Sequence, residues 1–278
     1  MEIVKEHFKS IHQLLGVLNS RPNNSVMANE DSSQSGSYDF TGSHSYEEAV
    51  QLFREGYKEI LPKIMSKMKR MEKDLSSEFQ FTKKIRPQNS IEGVVPNVPN
   101  AILGLPQSMI DMKRFPQKQK TLNIIYEMGA NCGTNKELFI NAGVVLLTAI
   151  KILETRRISV KLTLGFMAGK ANKQGNFPTV DLKDYGQRLD LQKLCFPLAH
   201  PSMFRRIGFK WLETNPDITD KDFRFGYGRS PADETKEWKD FVNQLNLPKN
   251  ARVLRAQDID QMKFDVGKLI DYLNINNA

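Results

Sequence analysis

The residues of this chain whose types suit chemistry are few and scattered. There are four histidines and two cysteines. His200 is the one placed for acid–base work, because an imidazole titrates near neutrality. It precedes Pro201 and Ser202, with Arg205 and Arg206 one turn on, an arrangement that could hold an anion. The competing reading is a packed or locally bonded histidine, and it carries more weight, since no partner can be located for His200. Cys132 lies in a polar loop and is a candidate nucleophile. A thiol reacts only when a base or a positive helix end lowers its pKa, so an ordinary reduced thiol is the simpler assignment. Cys132 and Cys195 form neither a Cys-x-x-Cys pair nor a disulfide framework. His7 and His12 fall off a common helix face, His44 precedes a helix cap, and all three read as surface or turn residues. No P-loop, GxGxxG, HExxH, zinc pattern or nucleophile elbow is present. The expectation is a non-enzymatic protein with no metal and no cofactor.

Charge points elsewhere. The chain has 278 residues and a formal net charge of +8, a balance that favours polyanion partners. The excess is uneven: residues 54–86 hold ten Lys/Arg against five Asp/Glu, whereas residues 231–278 hold seven against eight. Lys67, Lys69 and Arg70 lie opposite a stripe of methionines. Arg205, Arg206 and Lys210 share one helix with Phe204, Ile207 and Trp211 on its other side, as a phosphate-contacting helix would. Phe223-Arg224-Phe225-Gly226-Tyr227-Gly228-Arg229 alternates aromatic and basic residues, a pattern that can stack bases and hold phosphates. The bland alternatives are a solvated face over a buried aromatic stripe, and a hairpin with Phe223 and Phe225 inside. The candidate nucleic-acid contacts are Lys67, Lys69, Arg70, Arg205, Arg206, Arg224 and Arg229.

These side chains need a scaffold. Thr121–Tyr126 reads as a strand, 127–135 as a polar loop, Lys136–Thr155 as an apolar helix and Ile158–Phe166 as a second strand. Such a unit predicts an α/β fold, a mostly parallel sheet with flanking helices, with ligands at the loop after the first strand. Phe177–Leu182 adds a strand, 189–198 and 201–213 two helices, 232–247 another, Ala251–Leu254 a strand and 264–273 a final helix. Residues 3–18 place Ile3, Val4, Phe8, Ile11, Leu14, Leu15 and Leu18 at helical spacing. Segment 21–41 is rich in Ser, Asn and Gly and reads as a linker or mobile loop. Ser45 and Glu48 form a capping box, and Pro62 is expected to kink or divide the helix that follows. The organisation expected is an N-terminal helical region, 1–85, a proline-rich connection, 86–120, running across the sheet, and an α/β domain, 121–278. The apolar run Leu138–Ile150 is shorter than the roughly 20 residues a bilayer needs. The N-terminus lacks the plan of a signal peptide. A cytoplasmic protein with no membrane partner is therefore expected.

Two family resemblances attach to these residues. The order strand, loop, helix, strand across 121–166 resembles the start of a von Willebrand factor A-type domain. That family grips a divalent cation through Asp-x-Ser-x-Ser in the first loop, and the matching positions are Glu127, Gly129 and Asn131. Both serines are missing and the aspartate is a glutamate, so the resemblance implies the fold but no metal site. It leaves Asn131 and Thr134 as candidates for a protein–protein face. Phe40-Thr41-Gly42-Ser43, Ser45-Tyr46-Glu47-Glu48-Ala49, Leu198 to Arg206 and Phe225-Gly226-Tyr227-Gly228 are similar to blocks of a bacteriophage family of unknown function. That similarity implies a phage origin and action inside the host cell. The expected function is binding of nucleic acid or of a nucleic-acid-processing complex, with a protein–protein adaptor as the alternative and an enzyme using Cys132 or His200 as the third reading.

Overall fold

The chain opens in a strand. In the computed structural model, which describes residues 2–76, 88–111, 120–129, 133–169, 174–219, 227, 242–248 and 250–274, Glu2–Phe8 forms β1 and Ile11–Ser20 forms α1. The helical stripe expected over 3–18 therefore merges two elements. Within β1, Val4 and Phe8 join the larger core cluster and Ile3 the smaller one, the period-two alternation of a strand. Ser10 ends it: its Oγ accepts from Gln13 N (3.2 Å) while Gln13 Oε1 accepts from Lys9 N (2.7 Å), so the helix entrance is tied from both sides. Two short helices follow, α2 (Ser32–Ser35) and α3 (Tyr38–Thr41), then α4 (Tyr46–Glu55) and α5 (Leu61–Ser76). The predicted cap forms, with Ser45 Oγ accepting from Glu48 N at 3.1 Å. The helix expected after Ser45 is divided into α4 and α5, with the break at 56–60 just before Pro62, and Pro62 kinks neither part. It stands in the first turn of α5, where its missing N–H costs nothing.

Residues 76–120 form a compact unit of their own. Its described part, 88–111, is not an extended connection. β2 (Gln88–Ser90), β3 (Val95–Pro96) and β4 (Met109–Asp111) make an antiparallel sheet in the order β2-β4-β3. Between β3 and β4 lies α6 (Val98–Ile102), capped by Asn97 and carrying Pro99 in its first turn.

The remaining residues build the main sheet. β5 (Lys120–Glu127), α7 (Lys136–Thr155) and β6 (Ile158–Gly165) appear where the sequence predicts them. They are followed by β7 (Ala168–Gly169), β8 (Gln174–Lys183) and α8 (Leu191–Ala199). A π-helical turn, Met203–Gly208, runs into α9 (Phe209–Thr214). β9 (Ala251–Arg255), α10 (Ala256–Gln261) and α11 (Val266–Asn274) complete it. The strand order is β1-β8-β6-β5-β9, with β7 paired to β8. β1 runs parallel to β8 and β5 parallel to β9, but β8 is antiparallel to β6. Met128 N donates to Gly165 O at 3.0 Å, so β5 and β6 end side by side. The sheet thus has two groups of strands that point opposite ways, and two carboxyl edges.

One face of the sheet is covered by the larger cluster, in which Ile124, Tyr126, Val160, Leu162, Leu164 and Val180 meet the helices. The other face carries a smaller one, Ile125, Met167, Phe177, Leu245 and Ala251. α7 packs against β6, α8, α10 and α11. It is 20 residues, longer than the apolar run in the sequence, and by length and composition alone it could cross a membrane. In the fold, Val144 to Ile150 are fully buried, which makes it the core helix of the α/β layer.

Candidate functional site

The edge the sequence pointed to is the one where β5, β6 and β9 end. Glu127, at the tip of β5, is fully buried. Its Oε1 accepts from Gly129 N (2.5 Å) and from Met167 N (3.0 Å), which ties the loops after β5 and β6 together. Oε2 has no partner. Burial is the largest influence on this carboxyl and raises it from 4.5 to about 8, against the two backbone donors and the charge of Arg255. Glu127 therefore holds its proton at neutral pH and acts as a clamp between loops. Arg255 is itself paired with Asp258 at 2.9 Å. Among the described residues no group of three or more His, Cys, Asp or Glu could hold a metal.

Arg205 and Arg206 are not surface residues. They are 3% and 0% exposed. Arg206 spends its guanidinium on the serine-rich segment: Nε donates to Ser43 Oγ (2.7 Å), Nη1 to Ser33 O (2.9 Å) and Gln34 O (3.0 Å), and Nη2 to Gly36 O (2.9 Å) and Ser43 O (2.7 Å). Five donors in a rigid fork match five acceptors. The segment expected to be a linker is thereby docked as α2 and α3. Glu213 holds it from the other side, accepting from Ser33 N at 2.9 Å and from Tyr227 Oη at 2.9 Å. Arg205 donates to Phe40 O (2.6 Å) and to Thr134 O (3.1 Å), and lies over the Phe40 ring at 4.3 Å. Thr134 thus serves an internal contact through its carbonyl.

The other sequence candidates do not converge. Lys69 and Arg70 are exposed on α5, while Lys67 Nζ is bound to Asn141 Oδ1 of α7 at 2.5 Å. Arg224, Arg229, Asn131 and Cys132 lie outside the described residues, as does most of the helix expected over 232–247. His200 is buried between Phe196 (ring centroids 5.1 Å) and Tyr57 (5.0 Å). Its Nδ1 accepts from Ser202 N at 3.2 Å. Burial first, and then the charge of Lys136, lowers its pKa to about 4. It is a neutral core histidine at physiological pH. Cys195 is likewise buried, and burial raises its thiol.

A cleft of about 520 Å³ opens at the opposite carboxyl edge, where β1 and β8 end. Five Lys/Arg line it, Lys9, Arg54, Lys161, Lys183 and Lys193, against two acids, Asp181 and Asp184. Two of the five are committed. Lys183 is buried and bound to Glu154 (2.5 Å) and Val160 O (2.9 Å). Lys161 meets Asp181 at 2.8 Å; burial opposes its charge, but that hydrogen bond and the nearby acids keep its pKa above the ordinary lysine value. Asp181 also accepts from Thr163 Oγ1 (2.8 Å) and lies 3.4 Å from His7 Nε2. The side chains of Lys9, Arg54 and Lys193 are exposed, and none forms an ion pair with a described residue. Ile11 and His12, in the first turn of α1, complete the wall. The first N–H groups of a helix lack intrahelical partners and carry the positive end of its dipole.

Sequence reasoning missed this cleft because its cations come from five separate elements: the turn after β1, α4, β6, β8 and α8. The readable signal was local: a basic residue and a capping serine, Lys9-Ser10, directly after a strand. Reading residues 3–18 as one helix erased it.

Fold and cleft together define an α/β protein with a cation-rich carboxyl edge. The chain belongs to the family described as Domain of unknown function (DUF7192), whose model matches residues 2–262. Comparison with curated proteins and with solved structures gives no match.

Proposed function

We propose that this protein binds nucleic acid non-enzymatically, and that the cleft at the ends of β1 and β8 is where it takes the phosphate backbone. The observation that carries the reading is the trio Lys9, Arg54 and Lys193, three exposed cations without ion-pair partners among the described residues, around the first turn of α1. Cations already paired inside a protein have little left for a ligand, whereas unpaired ones can neutralise phosphates and release the counterions condensed on the nucleic acid. A carboxyl edge of an α/β sheet is also where such folds place ligands. Lys69 and Arg70, exposed on α5 but outside the cleft lining, stay candidates for a separate phosphate contact. Arg205 and Arg206 have no part in it. The reading extends to a bacteriophage setting and the host cytoplasm, on the similarity of the Phe40–Ala49 and Leu198–Arg206 segments to a phage family.

The test is fluorescence anisotropy with labelled single-stranded DNA, duplex DNA and RNA over a range of salt. Each phosphate neutralised contributes roughly 0.7 to 0.9 to the slope of log affinity against log salt. The variant Lys9→Ala/Arg54→Ala/Lys193→Ala should therefore lower that slope by about 2 to 3 while melting like the wild type. Absence of binding at low salt, or an unchanged slope in the variant, would remove the proposal.

A further inference from the structure

Two residues that line the cleft, His7 and His12, have no part in the reading above. Histidine is the side chain that changes charge between about pH 5 and about pH 8. His7 lies on β1 with its imidazole half-exposed. The parallel register sets it beside Thr179 of β8, whose Oγ1 stands 3.0 Å from Nδ1. That hydroxyl donates to Glu6 O at 3.5 Å, so its oxygen accepts from Nδ1–H. Nε2 is left as the nitrogen that takes up a proton, and it lies 3.4 Å from Asp181 Oδ2. Asp181 is already matched: Oδ2 holds Lys161 at 2.8 Å and Oδ1 accepts from Thr163 at 2.8 Å. A charge arriving on His7 is therefore surplus, and solvent reaches it. His12 is exposed in the first turn of α1 and shares the wall with Arg54 of α4.

We infer that His7 and His12 gate the cleft by pH, tightening its hold on phosphate when both imidazoles are charged. The inference rests on the reading of this cleft as the phosphate site. The charges around the two histidines come from every neighbouring element. Lys5 and Lys9 flank His7 in the chain, and Lys5 is turned away to Gln244 O at 2.9 Å. Lys161 comes from β6, Asp181 and Lys183 from β8, and Asp184 follows β8. Arg54 comes from α4 and Lys193 from α8. The lining thus holds five cations against two acids, a formal excess of three that protonation of both histidines raises to five. A phosphate in the cleft favours the charged imidazoles, and by linkage the charged imidazoles favour the phosphate by the same factor. Affinity is therefore highest below the imidazole range and falls as pH rises through it. Other titrating groups do not imitate this. Burial keeps His200 neutral down to about 4, and Glu127, at the opposite edge, holds its proton up to about 8. His44 stacks on Tyr38 (ring centroids 4.5 Å) outside the lining and serves as the control.

The experiment is fluorescence anisotropy of the full chain with labelled single-stranded oligothymidylate, whose bases do not titrate in this range. Affinity is measured over a series of salt concentrations at about pH 5.5 and about pH 7.5. The wild type should bind about tenfold more tightly at the lower pH. Its plot of log affinity against log salt should also be steeper there by about 1 to 1.4, since each added contact to a single strand contributes roughly 0.7. His7→Gln/His12→Gln should remove both differences, and His7→Lys/His12→Lys should bind at both pH values as the wild type does at the lower one. His44→Gln should behave as the wild type. Circular dichroism and melting at both pH values check that each variant is folded. Wild-type binding with equal affinity and slope at the two pH values overturns this inference and leaves the phosphate reading of the cleft standing. A pH dependence that persists in His7→Gln/His12→Gln also overturns it. Absence of binding at either pH overturns both.

Discussion

Arg206→Met separates a buried clamp from a phosphate contact. Methionine keeps the apolar stem of the side chain and removes all five donors. Of the acceptors they serve, Ser33 O, Ser43 O and Ser43 Oγ belong to fully buried residues, and water cannot replace the lost bonds there. Gln34 O and Gly36 O belong to residues with some exposure and can be rehydrated. A buried polar group left without a partner costs about 1 to 3 kcal/mol, and removing the desolvated charge itself returns part of that. A net loss of about 4 kcal/mol follows, or roughly 10 °C in melting temperature for a chain of this size. Urea unfolding at neutral pH measures the first quantity, and limited proteolysis measures whether the 31–44 segment has come loose. Arg206→Lys should fall between the two, because an ammonium has three donors and no planar fork. A loss under about 1 kcal/mol with unchanged proteolysis would refute the clamp. Weakened nucleic-acid binding in a variant that melts normally would instead restore Arg206 to the surface role its sequence suggested.

Two further substitutions test the packing of the sheet. Glu127→Gln should change how stability depends on pH. The folded carboxyl titrates at about 8 and the unfolded one at 4.5, so between those values the folded state binds the extra proton. The stability this group contributes is full below the unfolded value and is lost as pH rises through the folded one, by up to about 5 kcal/mol. Glutamine keeps an oxygen for Gly129 N and Met167 N and does not titrate, so the urea midpoint of the variant should gain on the wild type from about pH 5 to about pH 9; a gap that stays constant over that range would contradict it. Gly143→Ala tests the contact of α7 with α8. A Cβ there would stand 2.7 Å from Leu198 O and 3.0 Å from Ala199 Cβ. Alanine normally gains about 1 kcal/mol over glycine in a helix, but this overlap should turn the gain into a loss of about 1 to 3 kcal/mol; a higher melting temperature would sink the argument.

How much of this was legible depended on how local the cause was. β5, α7 and β6 show their periods within their own residues, and Ser45 and Glu48 form a cap among neighbours in sequence. β1 was hidden because Ser10 and Gln13 join a strand to a helix with only Lys9 and Ser10 between their apolar patterns. The fate of 21–41 was hidden for a longer-range reason. Serine and glycine composition describes a linker, yet Arg206, more than 160 positions away, supplies the donors that dock it. The same cause misled the reading of charge. An arginine in a helix looks alike in sequence whether its fork faces water or five oxygens of its own chain. Pro96, Pro99 and Pro106 were read as punctuation in a connection, whereas they frame a small sheet whose pairs, Asn89 with Ile110 and Val95 with Ile110, lie 15 to 21 positions apart.

The reversal of strand direction between β8 and β6 explains why the sequence pointed to one edge while the free cations sit at the other. An α/β unit read alone, β5–α7–β6, places its ligand edge at residues 127–135, and a fully parallel sheet would put every carboxyl end there. In this fold the protein has filled much of that edge itself. The Glu127 carboxyl bridges two loops, Arg205 reaches Thr134 O, and Arg255 is closed by Asp258. Those contacts tie the protein to itself, which gives stability, although Glu127 Oε2 has no hydrogen-bond partner among the described residues. Because β1 and β8 run the opposite way, the sheet has a second carboxyl edge, formed by the first strand of the chain and one joined to β6 through an antiparallel pair. There the internal pairing stops short: Asp181 takes up Lys161, Glu154 takes up Lys183, and Lys9, Arg54 and Lys193 have no ion-pair partner among the described residues. A surplus of one charge sign at a concave edge concentrates counterions and raises the rate at which an opposite charge arrives. The asymmetry between the two edges thus follows from topology, with internal ties at one end of the strands and, among the described residues, cations without ion-pair partners at the other.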